Sequence, residues 1–410
     1  MGESFRKTSE EKVLRDPVHR YIHISYEVIW NLLNARWFQR LHRIRQLGGA
    51  FVVYPTACHT RFSHSIGVYE ITRRMVSEIP EIRDSLNERE KITVMAAALL
   101  HDVGHAPYSH AFERILNLSH EDYTCRIIEE DEEIRSILEA ASPGLAEDTA
   151  DVIRHRSRNP LLSRLISGQL DADRMDYLLR DAYFTGTTYG EFDMERIFRT
   201  MRVINAMPVI KESGIYAVEN YVMARYHSYW QVYYHPGARS YETMLFSLFK
   251  RLRDLHEKNA APSVIPEFLP LLEGRELSLP EYFALDECTC SYAFMKLQSC
   301  GDPIASDLAE RLLNRKLFDY MDASQENIAH VRACLSQSGF DPDYYLTEDD
   351  VMQSVYVPYT GEKDNAVWIR VHGGEIRELS DSSFIVSSLV RGKPLKDERI
   401  YFPKEIRSLL

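Results

Sequence analysis

The chain has 410 residues, 45% of them apolar, which is enough to bury a large core and excludes a disordered polypeptide. Its net charge of −12 excludes a surface coated with cations for non-specific nucleic-acid binding. The six cysteines form no disulfide framework, the polar start MGESFRKTSEEK has no secretory leader, and no apolar run reaches the ~20 residues of a bilayer crossing, so a cytoplasmic protein without membrane contact is expected.

Along the chain, Asp16-Pro17 marks a turn inside the β-prone segment DPVHRYIHIS. SYEVIWNLLNARWFQRLHRIRQLGG reads as one helix halted at Gly48-Gly49. Trp37, Leu41 and Ile44 form an apolar stripe at i, i+4 and i+7, and Arg36, Arg40 and Arg43 repeat that spacing beside it as a cationic ridge. AFVVYP reads as a short strand or extended segment, and helices are expected over 64–79, 88–103, 108–117 and 120–140. Two more helical patterns follow, the second containing QLDADRMDYLLRD. MPVIKESGIYAV reads as a β-hairpin around its Gly-containing turn. A long aromatic helix is expected from Asn220 to Glu257, interrupted at Pro236-Gly237. NAAPSVIPEFLP marks a boundary, and 276–338 is helical again. From residue 350 the runs QSVYVPY, AVWIRVHGG, SSFIVSSLV and ERIYFP are β-prone and indicate a small mixed α/β unit. The fold class expected is mainly α, divided at 1–270, 271–345 and 346–410.

Nine of the fifteen histidines fall in residues 1–120. HDVGH sets His101 and His105 four apart at the end of the apolar run ITVMAAALL, with Asp102 between them. Buried polar groups need partners, here one another, a metal ion or a phosphate-bearing ligand. One ion takes three or four N or O ligands with neutral imidazoles. His64 of HTRFSHSIG, His101 and Asp102 supply three, and DADRMDY offers a fourth in Asp173, which shares a helix face with Tyr177 and Asp181 at i, i+4 and i+8. The competing reading makes Asp171 an N-cap and Asp173 a first-turn dipole partner. Cys288 and Cys290 form a lone CxC without a second pair, which does not make a zinc site.

HxRFxHSxG, then HDxGHxPxSH, HE and DxDRxDY, together with QLGG and YYHP, resemble the HD-domain deoxynucleoside triphosphate (dNTP) triphosphohydrolases. The likeness is to their bacterial branch, related to the animal sterile-alpha-motif and HD-domain enzyme. It runs from DPVH through YYHPGARSYETM, and DLAERLLNRKLF and RIYFPKE extend it over most of the chain. The resemblance implies an all-helical HD core with a small β-hairpin and a smaller C-terminal α/β part. It implies a divalent ion, with Mg, Mn, Fe, Zn and Ni all compatible, on His64, His101, Asp102 and Asp173. His105 matches an active-site histidine near the ion. His110 matches the general acid, oriented by Glu113, where the family has an aspartate. His120 and Glu121 match a pair beside the reacting phosphate. Arg61, Arg174 and Arg225 match phosphate-contacting or base-stacking positions. Gln46, Leu47, Asp181 and Tyr233, with Tyr177 on the same helix face as Asp181, are the implied sugar contacts. Leu47 and Tyr233 would crowd the 2′ position and Asp181 would accept the 3′-hydroxyl; plain core packing is the other reading of Leu47 and Tyr233.

The activity implied is cleavage of dNTPs to deoxynucleoside and triphosphate. The motifs leave open an HD phosphohydrolase of another nucleotide (dNMP, cyclic or oligonucleotide) and a catalytically idle nucleotide sensor; the intact ligand set favours an enzyme. Family likeness also implies a homotetramer with an effector nucleotide near Arg36, Arg40 and Arg43 at a subunit interface. Arg15, Asn34 and His42 differ in type from the guanine-reading positions of the animal enzyme while Gln39 is kept, so guanine-specific activation is not implied.

Overall fold

The computed structural model describes residues 5–116, 119–353, 366–391 and 395–410. The chain is mainly α with small sheets at its edges, and one hydrophobic core runs from Phe5 to Ile406. No helix among the described residues is long and apolar enough to cross a membrane.

The chain opens on an antiparallel hairpin of β1 (Lys7–Asp16) and β2 (Arg20–Tyr26). Asp16 shapes its turn by accepting the backbone N–H groups of Val18 and His19, each at 2.9 Å. The single helix expected next is broken. Helices Glu27–Asn34 and Arg36–Arg40 meet at Ala35, whose ψ of 145° is extended, and a 3₁₀ turn, Leu41–Arg43, follows. The break lets Ile29, Leu32 and Leu33, and then Trp37, Phe38, Leu41 and Ile44, all reach the core. On one straight helix these side chains would spread around the cylinder. AFVVYP is not a strand either. Gly48–Val52 is a 3₁₀ turn pressed beneath the Pro236–Glu257 helix, where a Cβ on Gly49 would lie 2.5 Å from the Tyr241 ring.

The helical pattern of 120–140 splits at Asp131, which caps the second half by accepting the Ile134 N–H at 3.1 Å. Helix Ala172–Thr185 is capped by Asp171, which accepts the Arg174 N–H at 2.7 Å. This helix packs against Arg61–Glu78, which also lies along Glu88–Leu100. At the first of these crossings a Cβ on Gly67 would sit 1.9 Å from Asp176 Oδ1. The glycine of HSIG is therefore what lets the two helices close.

The expected hairpin lies earlier in the chain than its pattern suggested. β3 (Met201–Ile204) and β4 (Met207–Lys211) are joined by Asn205-Ala206, with φ of 51° and 58° as a type I′ turn requires. IYAV instead starts the helix Ile215–Ser228, which passes through one π turn, Tyr229–Tyr233, before Pro236–Glu257. Five strands follow: β5 (Asp319–Asp322), β6 (Thr347–Gln353), β7 (Trp368–Arg370), β8 (Ile376–Glu378) and β9 (Leu395–Phe402). β5, β9 and β6 form an antiparallel sheet in that order. β7 runs parallel to β4, giving a four-stranded sheet β3-β4-β7-β8 shared between the hairpin and the C-terminal part. SSFIVSSLV contains a helix, Phe384–Arg391, rather than a strand, because Ser383 Oγ accepts the Val386 N–H at 3.1 Å and caps it. Most of QSVYVPY lies outside the described residues.

Gly67→Ala should force the helix crossing apart and destabilise the protein by about 1–3 kcal/mol. The readout is a lower urea midpoint at unchanged m-value; an unchanged midpoint would contradict the close packing.

Candidate metal centre

The apolar helix Glu88–Leu100, buried from Ile92 onward, delivers His101 into the interior. His101 Nδ1 lies 2.8 Å from the Ala98 carbonyl and donates to it, which leaves the lone pair on Nε2. That Nε2 is buried with no hydrogen-bond partner. It stands 3.4 Å from Asp102 Oδ1 and 3.8 Å from Asp173 Oδ1. His64 projects from Arg61–Glu78, with Nδ1 2.8 Å from Asp176 Oδ2 and Nε2 3.0 Å from Asp173 Oδ1. Both imidazoles are thus held from behind and turn Nε2 towards Asp173. One donor atom from each of His64, His101 and Asp173 lies within 4.8 Å of the others. An orphaned ring nitrogen between two carboxylates, with its neighbour's far nitrogen fixed by a third, fits a divalent ion. Asp102 is the looser member. Its Oδ2 is 3.7 Å from His64 Nε2 but also accepts Arg61 Nη1 at 2.5 Å.

Asp176, which the motif reading passed over, is fully buried. It accepts from His64, from His19 Nε2 at 2.6 Å, and from Arg180 Nε and Nη2 at 2.8 and 3.0 Å. Arg180 continues to Asp16 Oδ2 at 2.7 Å. Burial alone would raise the Asp176 pKa, but the Arg180 charge and the histidine hydrogen bonds hold it well below the carboxylate range. For His64, burial favours the neutral ring, yet its bonds to Asp173 and Asp176 outweigh burial and raise its pKa to about 10. A bound cation would have to displace that proton.

A second cluster adjoins the first. His105 Nε2 is 3.2 Å from Asp102 Oδ1 and its Nδ1 3.3 Å from Glu113 Oε1. His120 Nδ1 is 2.8 Å from the same Glu113 oxygen, and the two rings stack at 3.9 Å and 15°. Burial, reinforced by Arg61 and His120, pushes the His105 pKa down to about 3, so this ring is neutral. Glu113 therefore gathers His105 and His120. His110 opens the His110–Leu116 helix, and its side chain lies outside the described ones. Glu121, next to His120, is exposed on the first turn of His120–Glu130.

Arg61 links the cluster to a cavity of about 360 Å³. Its Nε and Nη2 donate to Ser109 Oγ at 3.0 and 2.8 Å while Nη1 holds Asp102. Gln46, Leu47, Tyr177, Asp181 and Tyr233 also line the cavity. Tyr233, carried on the π turn, donates its hydroxyl to Asp181 Oδ2 at 2.7 Å. Arg174 and Arg225 do not line it. Arg174 is drawn back onto Asp171 and the Gly168 carbonyl. Arg225 lies with its guanidinium 5.7 Å from the Tyr229 ring centre and its Nε buried without a partner. Sequence reasoning missed Tyr108, Ser109, Arg239 and Glu242 on the cavity wall. Arg239 is fixed by Asp349 of β6 at 2.8 Å, a pairing across 110 positions that no local pattern signals.

The expected arginine ridge is not a free surface. Arg40 is fully buried, donating to the carbonyls of His105, Phe283 and Leu285 at 2.9, 3.2 and 2.5 Å. Burial lowers its pKa to about 10. Arg36 is bound to Asp131 at 2.5 Å, and Arg43 to Asp286. The helix breaks after Asn34 and after Arg40, and the i, i+4, i+7 arithmetic that aligned these residues ends there.

The HD domain model matches residues 61–181, and the HD associated region matches residues 192–264. The uncharacterized protein YwfO of Bacillus subtilis is 45% identical over 98% of this chain and 94% of its own. A SAMHD1 homolog of Dictyostelium discoideum, a deoxynucleoside triphosphate triphosphohydrolase, is 29% identical over 60% of this chain and 50% of its own. The crystal structure of a phosphohydrolase from Bacteroides thetaiotaomicron superposes with a TM-score of 0.85 at 28% identity, covering 96% of this chain and all of that one. With both HD regions in order and a full-length relative at this identity, the chain belongs to the HD-domain family of metal-dependent phosphohydrolases that includes the deoxynucleoside triphosphate triphosphohydrolases.

Proposed function

We propose that the chain hydrolyses dNTPs to deoxynucleoside and inorganic triphosphate at a divalent ion held by His64, His101, Asp102 and Asp173. The observation that carries this reading is the join, through Arg61, between the His64–His101–Asp173 cluster and a cavity clamped by Asp181 and Tyr233. A divalent ion in that cluster supplies Lewis-acid polarisation and brings the acidity of water near neutral pH. Arg61, at the junction, neutralises triphosphate charge, and Arg174 and Arg225 add cationic field from behind the wall. Cleavage between O5′ and the α-phosphorus requires a proton on the departing O5′. We assign it to His110 on the family pattern. His105, neutral because of its burial, instead serves with Glu113 and His120 as a hydrogen-bonding wall beside the phosphate. Leu47 and Tyr233 crowd the 2′ carbon and leave no room for a ribose hydroxyl, and Asp181 accepts the 3′-hydroxyl.

A homotetramer with an effector nucleotide belongs to the same reading. Such an effector would compete with Asp131 for Arg36 and with Asp286 for Arg43, and Arg40 takes no part in it. Sedimentation with and without dNTP should show a tetramer that nucleotide stabilises; a monomer under both conditions contradicts this.

Incubation with dNTPs, NTPs, dNMPs and short DNA in Mn²⁺ or Mg²⁺, with products separated by chromatography, should yield deoxynucleoside and triphosphate from dNTPs alone. Cleavage of dNMPs with dNTPs untouched would overturn the proposal. His101→Ala and Asp173→Ala should each remove bound metal and lower turnover by about 10³-fold or more, with the helical circular dichroism retained. Full metal content by elemental analysis in either variant would contradict the ligand assignment.

A further inference from the structure

Tyr108 and Ser109, on the cavity wall, carry no role in the motif pattern, yet both hold left-handed backbone, with φ of 56° and 51°. Neither is a glycine, and such strain persists only where the surroundings over-determine it, most often at a working site. Here they do. The Tyr108 carbonyl oxygen lies against Gly48, where an added Cβ would stand 3.3 Å from it. The Ser109 N–H donates to the Ala106 carbonyl at 3.1 Å. This turn sets the Ser109 hydroxyl, in a residue 4% exposed, against the Arg61 guanidinium. A serine hydroxyl has two lone pairs and one proton. Arg61 fills both lone pairs, through Nε at 3.0 Å and Nη2 at 2.8 Å. The proton is therefore left to donate, and no acceptor for it stands among the described side chains. Ser109 lines the cavity, so what remains for that proton is an acceptor bound there. A cation donating into the oxygen polarises its O–H and makes it a stronger donor than an ordinary serine. Ser109 is also neutral, so it holds one edge of Arg61 without cancelling its charge. The acceptor that suits such a donor beside a guanidinium is an anionic oxygen.

We propose that Ser109 is a substrate-binding residue whose hydroxyl donates to a non-bridging phosphate oxygen, and that Arg61, by occupying both of its lone pairs, is what turns the proton to the cavity. Arg61 thus has a second task besides its charge: it orients a neutral donor next to itself. The proposal rests on the reading that the phosphates lie at the Arg61 junction.

The probe is inorganic triphosphate, titrated by calorimetry into the Mn²⁺-loaded full chain. Ser109→Gly removes the hydroxyl and suits the left-handed backbone, so it adds no strain. It should weaken triphosphate binding by about 10–100-fold, with bound Mn²⁺ and the affinity for deoxynucleoside unchanged. Loss of the Arg61 anchor alone would also weaken binding, so the deciding measurement is a double-mutant cycle. In an Arg61→Ala background, Ser109→Gly should still weaken binding by about 5-fold or more, because the hydroxyl itself touches the phosphate. Should Arg61→Ala lose its metal, Arg61→Lys takes its place in the cycle, since an ammonium cannot fork onto both lone pairs. An effect of Ser109→Gly below about 2-fold, alone or in the Arg61 background, overturns the proposal, as does a wild type that binds no triphosphate. If dNTPs are not cleaved while triphosphate binding follows the expected pattern, the hydrolase reading fails and Ser109 keeps its role as a phosphate ligand.

Discussion

One buried carboxylate holds the candidate site together. Asp176 joins the helix that carries Asp173 to the helix that carries His64, and it does so through a glycine-sized gap. A lone charge there would be prohibitive, but Arg180 and two imidazoles surround it, and Asp16 balances Arg180 from the first hairpin. The same contact fixes which ring nitrogen of His64 faces the cluster. Packing and chemistry are therefore not separable here: the bond that aligns the two helices also aims the imidazole.

The arginines near the start of the chain serve a comparable structural purpose further from the cluster. Arg40 spends its guanidinium on three carbonyls, one of them that of His105, so it anchors the histidine loop to the segment at 283–285. Arg43 and Arg45 grip Asp286 and Glu287, the latter accepting both the Arg45 N–H and its Nη1 at 2.8 Å. Burial raises the Glu287 pKa to about 7 against the pull of Arg45. An acidic protein thus uses its local excess of cations, buried at Arg40 and half-exposed at Arg43 and Arg45, as fasteners between distant stretches of chain.

What could be read from the sequence divides along the same line. The histidine boxes were legible because HDVGH and HSIG are local runs rich in ligand-type side chains, but the helix stops at Leu100, so His101 and His105 do not share a face and turn to two different clusters. The competing reading also describes the helix correctly, with Asp171 as its N-cap and Asp173 in its first turn, while Asp173 at the same time faces His64 and His101. Asp176 and Arg180 lay in plain sight at i and i+4, yet DRMDYLLRD offers no local sign of which carboxylate points inward; the facing helix and Gly67 decide that. Arg40 and AFVVYP were misread because their partners, the carbonyls at 283–285 and the ring of Tyr241, stand about two hundred residues away. His59 opens HxRFxHSxG, yet nothing local shows what its ring meets, because Asp181 and Phe184 stand about 120 residues further on.

The parallel pairing of β4 with β7 has a consequence for how the protein is made. On the ribosome the histidine boxes emerge early, but the hairpin then presents an unpaired strand edge, and Arg40 lacks two of its three acceptors, until much later chain appears. Open edges of this kind invite wrong partners. The part of the chain that bears the histidine boxes therefore completes these contacts only once residues 283–285 and 368–370 are present.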